Sequence, residues 1–242
     1  MPYFSYFYGI DMTYIILVLP CIILSLWASY NVNSTFKKYS KQYASRGITG
    51  AQAAQQVLRS HGITNVRIDR VSGNLTDHFD PRTNIIRLSD GVYDSTSTAA
   101  IGVACHEAGH AVQYAQNYFP MQLRAAIIPI TNIGSKLAMP LILLGVIFTF
   151  LEYASFAFIY IGIACFGLSL LLQLVTLPVE FNASNRALRA IEDCAMLSGS
   201  ELAGARKTLR AAAMTYLAAV AVSLAQVLRL ILIFGGRRRN ND

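Results

Sequence analysis

"ACHEAGHAVQ", residues 104–113, is the stretch on which the reading of this chain turns. It sets His106, Glu107 and His110 in a run of small and apolar residues that otherwise reads as a buried helix. Residues i and i+4 of a helix share a face, so His106 and His110 can present both imidazoles to one ion. Glu107, one position around, is offset toward a water on that ion. The His-Glu-x-x-His spacing is therefore a metal-site signature with a mechanical basis. The competing reading is structural: two satisfied histidines and a buried glutamate. Against it, an ionised Glu107 flanked by Ala104, Cys105, Ala108 and Ala111 is costly to bury without a charged partner, which a metal and its water supply. Gly109 and its small neighbours also leave room for another segment to approach closely.

Working outward, Asp94 or Ser95 is expected to cap this helix, which carries through to about Asn117. Before it, "TGAQAAQQVLRSHGI" has the end signals of a short helix, with Thr49 as cap and Gly62 as terminator. "VRIDRVSG" and "TNIIRLS" read as short β-branched strands, with "DHFDPRT" as the turn between them. Residues 31–125 thus form a small α+β unit, too small to be a complete two-lobed enzyme, so a site built there borrows residues from later in the chain.

The rest of the sequence is of another kind. The 242 residues are 54% hydrophobic and 14% charged, well short of the roughly 25% charged usage of soluble domains. Four apolar stretches, 13–30, 127–151, 154–179 and 211–234, reach the ~20 residues that a bilayer core requires. The second contains Pro129, Lys136 and Pro140, and its spanning part is expected to begin nearer Leu137. The fourth contains Gln226 and Arg229, which either snorkel toward one membrane face, the simpler reading, or turn inward toward a polar cavity, and it is read as a span or an interfacial helix. The fold class expected is a mainly α membrane protein: about four apolar helices and a small α+β zincin-like part, in one integrated domain over 1–242.

No Lys or Arg precedes the first apolar stretch, whereas Lys37, Lys38 and Lys41 follow it, so that stretch reads as an anchor rather than a cleaved signal. Residues 31–125 hold ten Lys or Arg and residues 178–211 hold five, which places both on the cytoplasmic side of a multi-pass plasma-membrane protein. Arg237, Arg238 and Arg239 run against that assignment if the last stretch crosses fully. The net charge of +7 fits topology and the lipid bilayer as partner. No basic and aromatic pattern specific to nucleic acid appears. Cys21, Cys105, Cys165 and Cys194 have neither metal-site nor disulfide-framework spacing, and the sequons at Asn33, Asn74 and Asn182 fall on the cytoplasmic side.

A catalytic zinc site needs a third protein ligand and an open position. His61 and His78 are candidates in the small domain, though such histidines are more often surface residues. Glu152 falls between spans on the opposite membrane face, and Glu192 and Glu201 lie in a charged, solvated stretch. Glu180 is best placed, because it follows the uncharged run 154–179 and begins the helix "EFNASNRALRAI" at the membrane boundary. The glutamate-helix region, 180–211, is expected as a helical pair broken near Ser198-Gly199-Ser200. Ser184, at i+4 from Glu180, can orient a ligand through a hydrogen bond. The alternative for Glu180 is a carboxylate that complements a helix N-terminus.

"HEAGHA" at 106–111, "LPVEFNASNRAL" at 177–188 and "DPRTNIIRLSDGVY" at 80–93 resemble the YugP-type membrane zinc metallopeptidases of prokaryotes, more distantly similar to the HtpX and CAAX-prenyl membrane proteases. The resemblance covers most of the chain, in the same order. It implies Zn2+ held by His106, His110 and Glu180, with Glu107 as catalytic base. Asn182 and Asn185 depart from the family's third motif, where an aspartate stands at the position of Asn182, and in the HtpX-like relatives an aspartate matches Ser184. Related peptidases offer an edge strand to an extended substrate, for which "TNIIRLS" is the candidate. Tyr216 and Arg186 are candidates for stabilising an oxyanion.

These readings converge on a zinc endopeptidase, with a protein or peptide substrate, itself membrane-associated. Zinc lowers the pKa of a bound water to about 7, and Glu107 can take that water's proton as it attacks a carbonyl. Non-haem iron uses the same ligand types. A site-2-type intramembrane enzyme is disfavoured, since the Asp90-Gly91 pair precedes the motif helix in a polar stretch. The alternative class is a non-catalytic, zinc-stabilised membrane scaffold or adaptor, which has no need of Glu107 beside an open water position.

Overall fold

The computed structural model describes residues 11–150 and 156–235; Glu152 and Arg237 to Arg239 lie outside them. Four helices dominate: Tyr14–Tyr39, Phe119–Phe150, Phe156–Asp193 and Gly199–Gly235. All four are long and apolar enough to cross a membrane. The chain divides into two compact units that alternate along the sequence. One comprises Met1–Trp27, Leu123–Thr176 and Tyr216–Asp242; the other comprises Ala28–Gln122 and Leu177–Thr215.

In the first, apolar unit, small residues set how closely helices meet. A Cβ on Gly162 would lie 2.8 Å from the Ala138 carbonyl oxygen, and one on Gly145 would lie 2.9 Å from the Ile159 backbone nitrogen. Two long helices thus touch backbone to backbone, as expected where dispersion rather than water drives association. Ile147, Leu171, Leu174, Ile231 and Leu232 remain exposed, the arrangement of helices whose solvent is lipid. The second apolar helix begins at Phe119 and runs through both Pro129 and Pro140, so the part before Leu137 is helical as well; neighbouring helices let membrane helices tolerate proline. Arg229, in the last helix, faces Asp11. Its side chain is 12% exposed and its Nε lies 3.4 Å from Asp11 Oδ1, with the guanidinium 5.3 Å from the Tyr14 ring centroid. An acidic partner within reach makes burial of the cation cheaper than leaving it unpaired.

The second unit carries the sheet. Strand β1, Arg67–Val71, pairs in parallel with β3, Ile85–Ser89, and β2, His78–Asp80, pairs antiparallel on the other side of β3. The order β1-β3-β2 corrects two expectations. "DHFDPRT" holds a strand, His78–Asp80, as well as the turn that follows it, and "TNIIRLS" is the central strand, with no free edge for a substrate. Its far end is closed too, because Asp77 accepts from Ser89 N at 2.7 Å and from Ser89 Oγ at 3.0 Å. The alternation of Val66, Ile68 and Val71 carries half of the pattern; which strand lies between the other two depends on pairing that alternation does not encode.

Helix Gly50–Ser60 starts with a capping box between Thr49 and Gln52. Its buried face, Ala53, Ala54, Val57 and Leu58, joins Ile86 and Leu88 of β3, Ile101 and Val112 of the motif helix, and Ile191 and Met196 in one core. The chain after Thr176 stays helical to Asp193, breaks, and resumes at Gly199, as the Ser198-Gly199-Ser200 signal suggested. Glu180 does not begin a helix. It lies well inside Phe156–Asp193, which runs through Pro178, so the reading of Glu180 as a helix N-terminal carboxylate falls.

Candidate metal centre

The motif helix, Thr98–Ala115, is capped by Ser97, whose hydroxyl accepts from Ala100 N. Neither Asp94 nor Ser95 serves; Ser95 instead donates its hydroxyl to Ser97 and accepts from Ser97 N, fixing the cap from behind. The helix is buried on nearly every side, which its alanines and glycines permit. Gly109 makes the decisive contact: a Cβ there would lie 2.7 Å from the Ala183 carbonyl oxygen. Glycine lets the backbone of the motif helix approach the segment that carries Glu180.

That approach brings three side chains together. One ligand-type atom from each of His106, His110 and Glu180 lies within 4.8 Å of the others. Glu180 Oε2 is 3.2 Å from His106 Nε2 and 3.5 Å from His110 Nε2, and the two rings meet edge to face at 4.7 Å. Glu180 is 3% exposed. The remote nitrogens are engaged elsewhere: His106 Nδ1 lies 3.1 Å from Ser184 Oγ, and His110 Nδ1 lies 3.0 Å from Gln113 Oε1. Ser184 is thus where the i+4 spacing puts it. Burial pulls the His110 imidazole down, but the Glu180 hydrogen bond and the charges of Glu107 and Glu180 outweigh it and leave the ring above its ordinary pKa.

Glu107 is 8% exposed, and among the described residues its carboxylate has no hydrogen-bond partner. Its oxygen atoms are not sealed off, so a water or a ligand can reach them. The other candidates are committed elsewhere. His61 Nδ1 lies 2.9 Å from the Val57 carbonyl oxygen, and His78 Nδ1 lies 2.8 Å from that of Thr76. Glu192 pairs with Arg206 at 3.1 Å, and Glu201 accepts from Ser45 N at 2.8 Å. Arg186, a candidate for an oxyanion, is also occupied. Its Nε donates to Asn182 Oδ1 at 2.7 Å, its NH1 donates to Gln116 Oε1 at 2.6 Å, and it lies 5.9 Å from the Tyr118 ring centroid. Tyr216 belongs to the apolar unit.

Gln113 was not singled out by its sequence position. It is fully buried, and its Nε2 donates to the Val179 carbonyl oxygen at 2.8 Å and to Asn182 Oδ1 at 3.0 Å. The available signal was a polar residue on the buried motif helix, one turn after His110.

The class that fold and cluster define is a helical membrane protein with four apolar helices and a buried His-x-x-x-His pair closed by a distant glutamate. The chain belongs to the family described as "Putative neutral zinc metallopeptidase", whose pattern matches residues 14–235. It is 43% identical over 230 residues to the "Putative membrane protease YugP" of Bacillus subtilis (strain 168), a match covering 95% of this chain and 100% of that protein. No solved structure matches it.

Proposed function

We propose that this chain is a membrane-embedded zinc endopeptidase in which His106, His110 and Glu180 hold the ion and Glu107 is the general base. The observation that carries the reading is the convergence of both Nε2 atoms on one Glu180 oxygen, beside the Glu107 carboxylate, which has no hydrogen-bond partner among the described residues. Two imidazoles and a carboxylate suit zinc, and the engagement of both Nδ1 atoms leaves the Nε2 atoms as the donors to a metal.

When bound, zinc supplies Lewis acidity, which acidifies water and polarises a carbonyl. The protein's part follows from its residues. Glu107 takes a proton from the attacking water and returns it to the departing amine nitrogen, so one carboxylate serves as base and then acid. Ser184 and Gln113 hold the two rings in place. An extended substrate would pair along β2, an edge strand beside the motif helix, where Phe79 and Tyr114 are 6.0 Å apart. Both units act as one integrated domain, with the site on the cytoplasmic side, as the distribution of Lys and Arg favours. Substrates are then membrane-associated or unfolded proteins.

Glu107→Gln tests the reading. It should retain zinc while cleavage of an unfolded protein such as casein falls by about 10²–10⁴-fold, the usual contribution of a general base. Equal cleavage by this variant and the wild type would remove Glu107 from the mechanism, and zinc retention with no cleavage by either would favour the scaffold.

A further inference from the structure

A neutral histidine can carry its proton on either ring nitrogen, and only the tautomer with Nδ1 protonated leaves Nε2 free to bind a metal. At His106 the neighbour does not decide, since the Ser184 hydroxyl can donate or accept. At His110 it does. The Val179 carbonyl can only accept, so the nitrogen of the Gln113 amide must face it, at 2.8 Å. The amide oxygen is thereby turned to His110 Nδ1, at 3.0 Å, where it can only accept.

The other hydrogen on Gln113 Nε2 is fixed in the same way. It goes to Asn182 Oδ1, at 3.0 Å, which also accepts from Arg186 Nε at 2.7 Å. Arginine has no acceptor, so the oxygen of Asn182 rather than its nitrogen must face both donors. Gln116 and the Tyr118 ring hold Arg186 in turn. Each amide in the series has one permitted orientation, and their sum leaves one permitted proton position on His110.

We infer that Gln113, anchored by Val179 and by the Asn182–Arg186 pair, is a positioning residue that locks His110 in the tautomer whose Nε2 can bind zinc. The inference rests on the proposed ligand set. It also accounts for Asn182: the position needs an acceptor oxygen, which asparagine and aspartate both supply, so the neutral residue preserves the function.

The test measures zinc affinity by chelator competition on the full chain in detergent, with metal-free melting as the check on folding. Gln113→Leu should weaken zinc binding by about 10–100-fold, the usual effect of removing a ligand's hydrogen-bond partner. Asn182→Leu should weaken it in the same direction, while Asn182→Asp should stay within about 3-fold of wild type, since both acceptor contacts survive. In a His110→Ala background, Gln113→Leu should add little, because its effect passes through that ring. Wild-type affinity in Gln113→Leu, equal losses in Asn182→Asp and Asn182→Leu, or a full additional loss in the His110→Ala background would each overturn the inference. If Gln113→Leu does not fold, the two Asn182 variants decide. Undiminished zinc binding by His110→Ala would instead overturn the ligand set, which keeps the two failures apart.

Discussion

Gly109→Ala adds one methyl group where two backbones meet, and its consequence can be worked from distances. The new Cβ would lie 2.7 Å from the Ala183 carbonyl oxygen, and an ordinary contact begins at 3.4 Å, so the helices must part by about 0.7 Å. Neither partner can yield by a rotamer change, because the obstructing atoms are backbone. Overpacking of this kind costs about 1–3 kcal/mol, partly offset by the ~1 kcal/mol that alanine gains over glycine in a helix. The net loss is about 1 kcal/mol, or a Tm lower by roughly 2–4 °C. The site suffers more than the fold. His106 and His110 ride on one side of the parting and Glu180 on the other, and zinc distances tolerate only about 0.2 Å. Zinc affinity should therefore fall on the order of 10-fold or more, well beyond what the stability change would suggest. Chelator competition and scanning melts on the purified protein measure both. Gly91→Ala is the control, since a Cβ there meets nothing within 4 Å. If Gly109→Ala binds zinc and melts as that control does, the close helix approach does not set the site and the reasoning is refuted.

Further outcomes follow from the same geometry. Glu180→Ala should lose zinc and cleavage together; a variant that kept both would show that another residue closes the site. Zinc affinity should depend on pH in a defined direction. The metal-free His110 pKa is raised, so its protonated ring stabilises the fold below the unfolded value near 6.5, and that contribution is lost as pH rises through the folded value. Zinc must displace that proton, so affinity should climb between about pH 6 and pH 8, and a flat profile would count against His110 as ligand. In the apolar unit, Arg229→Met should cost about 1–3 kcal/mol, because Asp11 loses its cation but keeps its hydrogen bonds from Thr13 and Tyr14, whereas the double variant Asp11→Leu/Arg229→Met should recover much of the loss. Equal melting of the single and double variants would mean that the pair contributes no coupling.

Much of the fold was legible locally. The capping box at Thr49, the break near Gly199 and the four apolar helices follow from propensity and hydropathy over neighbouring residues, which a sequence displays directly. Ser184 was legible as well, because i+4 on a helix fixes its place relative to Glu180. The sheet was half legible: an imperfect alternation marked β1 and a short β-branched run marked β3, but the parallel pairing and the edge strand β2 depend on the route of the chain through space. The partner of Arg229 was not legible, because a stretch of sequence cannot reveal an acidic residue some two hundred positions away.

The sequence by itself determined the chemistry on offer. His106, Glu107 and His110 share a helix, so their spacing is their geometry, and Glu180 stood out as a charge at the end of a long uncharged run. Only the tertiary structure decided how those groups are held. Gln113 meets Val179 and Asn182, and Ser184 meets His106, through contacts that join residues 66 to 78 positions apart. No periodicity records such pairings. They exist because Gly109 lets two backbones come within a methyl group's width, and what is decided at that distance is which atom of each polar side chain faces which.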